Sequence, residues 1–230
     1  ADSIIFIQDC NYIGNTASGN GGAQYLSENS IIDIKHSNYS TNTSSSGGAL
    51  SFGINSFITI ADSNFISNEA ADSGGAIITQ ECEISIENSH IRKNEAFYGG
   101  ALYTQNDMMN ISTSVIQDNT AKYGGGLMGG FSAVHFVGNN IIGNNAIAET
   151  ANIQDTLEQY DLVDQYPIAN FLYGGGGGFF SWSCDTIIEN CFISNNTALS
   201  SGGGIYFGGY SDTQILKNSL LKGNTAVIQG

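Results

Sequence analysis

Isoleucines recur with period two at Ile5 and Ile7, Ile32 and Ile34, Ile58 and Ile60, and Ile84 and Ile86. Successive strand residues point to opposite faces, so this spacing predicts short β-strands with one face turned inward. A second apolar stretch follows each Gly-Gly-Ala or Gly-Gly-Gly, as in Ala49-Leu-Ser-Phe52, Ala76-Ile-Ile78, Ala101-Leu-Tyr103, Gly178-Phe-Phe180 and Gly204-Ile-Tyr-Phe207. It predicts a second strand in the same unit.

The pattern repeats. Gly-Gly pairs begin at Gly21, Gly47, Gly74, Gly99, Gly124, Gly176 and Gly202, spaced by 26, 27, 25, 25, 52 and 26 residues. An Asn-x-Ala or close relative precedes each pair or the place where one is due, at Asn15, Asn42, Asn68, Asn94, Asn119, Asn144, Asn196 and Asn224. Three residues before these stand Tyr12, Tyr39, Phe65, Ile91, Ile116, Ile141, Ile193 and Leu221, an inward row, and two before that row lies a column of small residues from Cys10 through Ser37, Ser63, Ser89, Ser114, Asn139 and Cys191 to Ser219.

Units of about 26 residues, each with two or three short strands and Gly-rich corners, predict an all-β chain wound as a right-handed parallel β-helix of about eight coils, one domain over residues 1–230. One coil cannot bury its own apolar face, but coils stacked roughly 4.8 Å apart join those faces into a continuous core and give a rod of roughly 35 to 40 Å. The eight Asn should then form an inward ladder along one corner, each amide donating to the next carbonyl, which gives them a turn-stabilising role. The Gly pairs suit close corner packing and positive φ. No phosphate-binding Gly-x-x-x-x-Gly-Lys occurs.

The doubled interval marks an insertion over 147–173. It carries Glu149, Asp155, Glu158, Asp161 and Asp164 with no Lys or Arg, and its apolar residues lie near helical spacing. Either a short amphipathic helix or a degenerate ninth coil fits. As the segment that breaks the lattice it is the candidate contact surface, through Asp155, Glu158, Tyr160, Asp161 and Asp164.

Composition narrows the partners. Six Lys plus Arg stand against 21 Asp plus Glu, for a net charge of -15. Nucleic acid and anionic membrane surfaces are therefore disfavoured, since both need clustered cations. No apolar run is long enough to insert in a bilayer as a helix. The four cysteines do not pair in this lattice: Cys10 and Cys191 share a column at opposite ends, and Cys82 and Cys184 stand three rungs, roughly 14 Å, apart. No Cys-x-x-Cys or calcium-loop motif appears, so neither a metal nor another cofactor is expected. Of the sequons, Asn38-Tyr-Ser and Asn110-Ile-Ser should face outward and are the candidate N-glycosylation sites, whereas Asn42 belongs to the inward ladder.

Gly47-Gly-Ala-Leu50, Gly74-Gly-Ala-Ile77 and Gly99-Gly-Ala-Leu102, together with Phe65-Ile-Ser-Asn68 and Phe192-Ile-Ser-Asn195, resemble the repeats of polymorphic outer membrane proteins. The resemblance implies a β-helical surface passenger or adhesin, and hence an extracellular or cell-surface location. Tyr12, Tyr39, Ile91, Ile116 and Ile141 replace the Phe of that pattern. Near Phe192 the two motifs disagree by one residue, which predicts a bulge.

A non-catalytic structural rod, a filament- or stalk-forming section of a large surface protein, is the leading expectation. Its partners would be further coils of the same chain or other copies, and the absence of a cap at either end predicts a window of a longer array. An adhesion or carbohydrate-binding module, using Tyr residues and Trp182 on an exposed face or the acidic insertion, is the alternative, with glycans as partners. A glycan-active lyase or hydrolase ranks third: Arg92 and the five lysines are scattered, His36, His90 and His135 occupy different coil positions on the surface, and Asp9 and Asp62, two rungs or roughly 10 Å apart, exceed the glycosidase spacing.

Overall fold

The computed structural model describes residues 3–147 and 175–227. Its strands are all parallel to their neighbours and form four sheets, two of eight strands and two of seven, in which each strand pairs with its counterparts one coil before and one coil after. This is a right-handed β-solenoid of eight turns. The coil built from Glu83–Glu87, His90–Arg92, Glu95–Tyr98 and Leu102–Gln105 shows the plan, with one strand in each of the first, second, third and fourth sheets. Its inward residues Ile84, Ile86, Ile91, Ala96, Leu102 and Thr104 are all buried.

Four strands per coil, rather than two or three, is a correction with a simple cause. Strands of the third sheet are as short as Glu69–Ala70, which offers a single small inward side chain and no room for a period-two signal. The bulge expected near Phe192 is absent as well. Pairing runs unbroken there, with Asn140 opposite Phe192 and Ile141 opposite Ile193, so Ile193 fills the core and Phe192 sits in the outward register. Asn195 takes a left-handed corner conformation, φ 53°, while Asn196 joins the ladder. Two adjacent Asn had allowed the Phe-x-x-Asn motif to slide by one residue.

The corners explain the glycines. Every corner contains one residue at positive φ, and the corner between the third and fourth sheets uses Gly each time, as at Gly47, Gly74 and Gly99. A Cβ on Gly74 would lie 2.2 Å from the carbonyl oxygen of Ile77, and one on the next residue, Gly75, would lie 2.1 Å from the oxygen of Gly100 in the adjacent coil. The first glycine thus serves its own turn, and the second admits the neighbouring coil.

Inside the first coils, Tyr12, Tyr39 and Phe65 stack with centroids 4.8 and 4.9 Å apart, which is the rung spacing itself. The buried Tyr39 hydroxyl donates to Gln24 Oε1, and Gln24 Nε2 donates to the Tyr12 oxygen. These two tyrosines therefore serve the core in the row that Phe65 fills in the third coil.

Candidate functional site

Three corners carry hydrogen-bonded ladders that run along the axis. Between the second and third sheets, each Asn offers its Oδ1 to both the backbone N–H and the Nδ2 of the preceding Asn: Asn42 donates to Asn68 at 3.0 and 2.9 Å, and Asn94 to Asn119 at 2.9 and 3.0 Å. The series starts at Asn15 and reaches Asn224, and it crosses the insertion through Asn144 and Asn196 at 2.9 Å. Asn42 through Asn196 are buried, while Asn15 is exposed on the first coil and Asn224 half-buried on the last. The Nδ2 also donates back to a carbonyl of the preceding coil, as from Asn94 to Phe65.

Between the first and second sheets the small-residue column does the same work. Ser37 N–H donates to Ser63 Oγ, Ser63 to Ser89, Ser89 to Ser114, Ser114 to Asn139 Oδ1, Asn139 to Cys191 Sγ, and Cys191 to Ser219. The third ladder, between the fourth and first sheets, contains Ser30, Ser56, Cys82, Asp107, Ser132 and Cys184. Asp107 is a buried carboxyl in this otherwise uncharged column, held by the N–H of Cys82 and the hydroxyl of Thr104. Burial pushes its pKa up, against the downward pull of those donors. Sequence reasoning missed it because an Asp at a corner reads as a surface turn residue.

All four cysteines are unpaired. Burial raises the thiols of Cys82, Cys184 and Cys191. Among the described residues no group of three or more His, Cys, Asp or Glu is placed to hold a metal ion, and no helix is long and apolar enough to cross a membrane.

Outside the coil, the fourth sheet carries an aromatic cluster. Tyr103, Met128, Phe180 and Tyr206 form one outward column, with Phe180 and Tyr206 stacked at 5.0 Å. Tyr98 and Tyr123 stack beside them at 5.5 Å, and Lys122 Nζ lies 4.7 Å above the Phe97 ring. Phe180 and Met128 are nevertheless buried, and Trp182 is half-buried against the same cluster. Trp182 is therefore packed rather than presented as an open platform, because aromatic side chains on successive rungs cover one another.

An open groove of about 740 Å³ lies at the corner between the fourth and first sheets, near the end of the described rod, with Phe131, Ala133, Ser183, Asp185, Tyr210 and Asp212 along it. The cause is a longer corner. Strands Ile205–Gly208 and Gln214–Lys217 are joined by five residues, whereas Phe179–Trp182 and Asp185–Glu189 are joined by two. The long corner is pinned: Tyr210 N–H donates to Ser183 Oγ at 3.1 Å, and Asp212 and Thr213 N–H both donate to Asp185 Oδ1 at 2.9 Å.

The other residues singled out in the sequence are placed as follows. Asn38 and Asn110 are exposed, and Asn38 belongs to an outward chain in which Asn64 Nδ2 donates to Asn38 Oδ1 and Asn38 Nδ2 to Asn11 Oδ1. Asp9 and Asp62 flank His36, whose ring nitrogens lie 3.8 and 3.6 Å from their carboxylates. His36 and His90 are exposed, but His135 is only partly so, and its Nε2 is buried without a hydrogen-bond partner. Asp155, Glu158, Tyr160, Asp161 and Asp164 lie outside the described residues, as does the helix expected in the insertion.

Residues 190–208 match the Chlamydia polymorphic membrane protein repeat. The matched stretch runs from the corner residue Asn190 through the ladder member Asn196 and the triple glycine at 202–204 into the strand Ile205–Gly208. It covers 19 residues, less than one unit of the lattice, so it shows likeness to this kind of repeat and not membership of the family. No curated protein and no solved structure matches the chain.

Proposed function

We propose that this chain is a non-catalytic structural section of an extracellular surface protein, a rod that spaces or presents other parts of an assembly. The observation that carries the reading is the Asn ladder, which is continuous from Asn15 to Asn224 and bridges the insertion without loss of register. Every rung contributes inward apolar residues and axial hydrogen bonds, so the stacked features support length and stiffness. The repeat match at 190–208 supports a surface location. Exposed Asn38 and Asn110 are consistent with exposure to a glycosylating compartment, with glycans added there before the buried Asn42. The test is small-angle X-ray scattering of the purified chain together with a product-release screen on neutral and acidic polysaccharides. An elongated particle with no turnover is expected; turnover abolished by substituting a groove carboxylate would replace the rod with an enzyme.

A further inference from the structure

We propose that the groove at the Gly209–Thr213 corner is a binding site for a neutral oligosaccharide. The first observation is Phe131. At this corner the coils place Asn29, Asn55, Glu81, Asn106, Phe131, Ser183 and Gly209 in left-handed backbone, and Phe131 alone is bulky and apolar, at φ 53°. The residue is 59% exposed. A residue that strains the backbone and also leaves an aromatic ring in water serves neither turn nor core, and such outliers gather at binding surfaces. The second observation is Tyr210, which also lines the groove and is 96% exposed.

Phe131 and Tyr210 belong to corners two rungs apart, about 10 Å along the axis. Two flat platforms at that separation suit alternate rings of an extended sugar chain, whose C–H faces stack on aromatic rings. Between them lies Asp185, whose Oδ1 is fixed by the N–H groups of Asp212 and Thr213, so that the carboxylate is oriented in advance as an acceptor for paired hydroxyls. Asp212, Ser211 and Gln214 add further polar groups to the lining. A smaller hollow sharing Ala133 and Asp185 continues onto the outer face of the first sheet past His135, whose Nε2 is the buried nitrogen without a partner.

The chemistry selects the class of ligand. No Lys or Arg lines either hollow, so uronates, sulfated sugars and nucleic acids are repelled. A cationic peptide is the rival, since aromatic rings and carboxylates also attract ammonium and guanidinium groups. The tethered Asp185 and the spread of the two rings favour an extended neutral ligand over a caged charge.

The experiment is isothermal titration of the full 230-residue chain, made without N-glycans because Asn110 borders the smaller hollow, against cellohexaose, xylohexaose, mannohexaose and chitohexaose, with a deca-arginine peptide as the competing probe. At least one hexaose is expected to bind, with an affinity unchanged by added salt. Tyr210→Ala and Phe131→Asn should each weaken it about tenfold or more, the scale of one lost aromatic anchor. Phe131→Asn should at the same time raise Tm, because Asn already occupies this position at Asn29, Asn55 and Asn106. The proposal is overturned if no hexaose binds, if only deca-arginine binds, or if both variants bind a hexaose like the parent chain.

Discussion

Cys82 donates its backbone N–H to Oδ1 of Asp107, 2.6 Å away in the next coil. The backbone N–H of Asp107 donates in turn to Ser132 Oγ at 3.1 Å, so Asp107 is a full member of the third corner ladder. Serine and cysteine fill this place in adjoining coils and carry no ionised group there at neutral pH. Asp107 brings a titratable one into a site with 4% exposure.

Its folded pKa is raised above the ordinary 3.8 by burial. A carboxyl shifted upward contributes stability that is fully present below the unfolded value and is lost as pH rises through the folded one. Asp107→Asn keeps the acceptor for Cys82 and removes that loss. The variant should exceed the parent in stability at neutral pH, and the gap should close on acidification toward 3.8. Urea titrations of both chains across that range measure it; a gap that stays constant with pH would show that ionisation of Asp107 does not matter.

Asn94→Ala should destabilise by about 1 to 3 kcal/mol, since it takes the side-chain acceptor from the N–H of Asn68 and removes one bond each from Asn68 Nδ2, the Phe65 carbonyl and Asn119 Oδ1 inside a buried corner. These contacts span 2.8 to 3.1 Å. Asn15→Ala, at the exposed first rung, should cost clearly less. Equal losses in chemical denaturation would contradict the burial argument.

The contrast between the ladders and the groove shows what a sequence displays. Ile84 with Ile86, and Ile91 five residues on, announce the first two sheets because period two and the coil period coincide in large apolar side chains. The Asn column was equally readable, since one residue type recurs in register. Asp107 belongs to a column of mixed Ser, Cys and Asp, and only counting every position between Cys82 and Cys184 reveals it. The signal for Phe131 was similar: a ring in a column otherwise made of turn residues. The width of the groove depends on the extra residues at Gly209–Thr213, which in sequence look like one more polar loop.

Four thiols should be titrated in the denatured chain, and in the native chain their rates should separate. Cys10 is partly exposed and should react first, whereas burial raises and shields Cys82, Cys184 and Cys191. Timed reaction with a chromogenic disulfide under native conditions gives the order. Rapid modification of Cys184 before Cys10 would mean that the third corner ladder opens readily.

The glycines supply a paired test of how tightly the coils are stacked. A Cβ on Gly75 would lie 2.1 Å from the oxygen of Gly100 and 2.7 Å from backbone atoms of Glu95, so the obstacle is the backbone of the next coil and not a side chain that could turn aside. Gly75→Ala must therefore separate two rungs locally, which weakens the third-sheet pairing and strains the ladder at Asn94; a loss of roughly 3 kcal/mol or more is expected. Gly130 lies in the strand Leu127–Gly130, has no positive φ, and a Cβ there would meet nothing within 4 Å. Gly130→Ala removes backbone freedom from the unfolded chain without a clash, so it should be neutral or stabilise by about 0.4 to 1 kcal/mol. Thermal melts of the two variants beside the parent decide the matter: Gly75→Ala must fall and Gly130→Ala must not, and a tolerated alanine at Gly75 would mean that the coils at this corner are not in the close contact on which the solenoid depends.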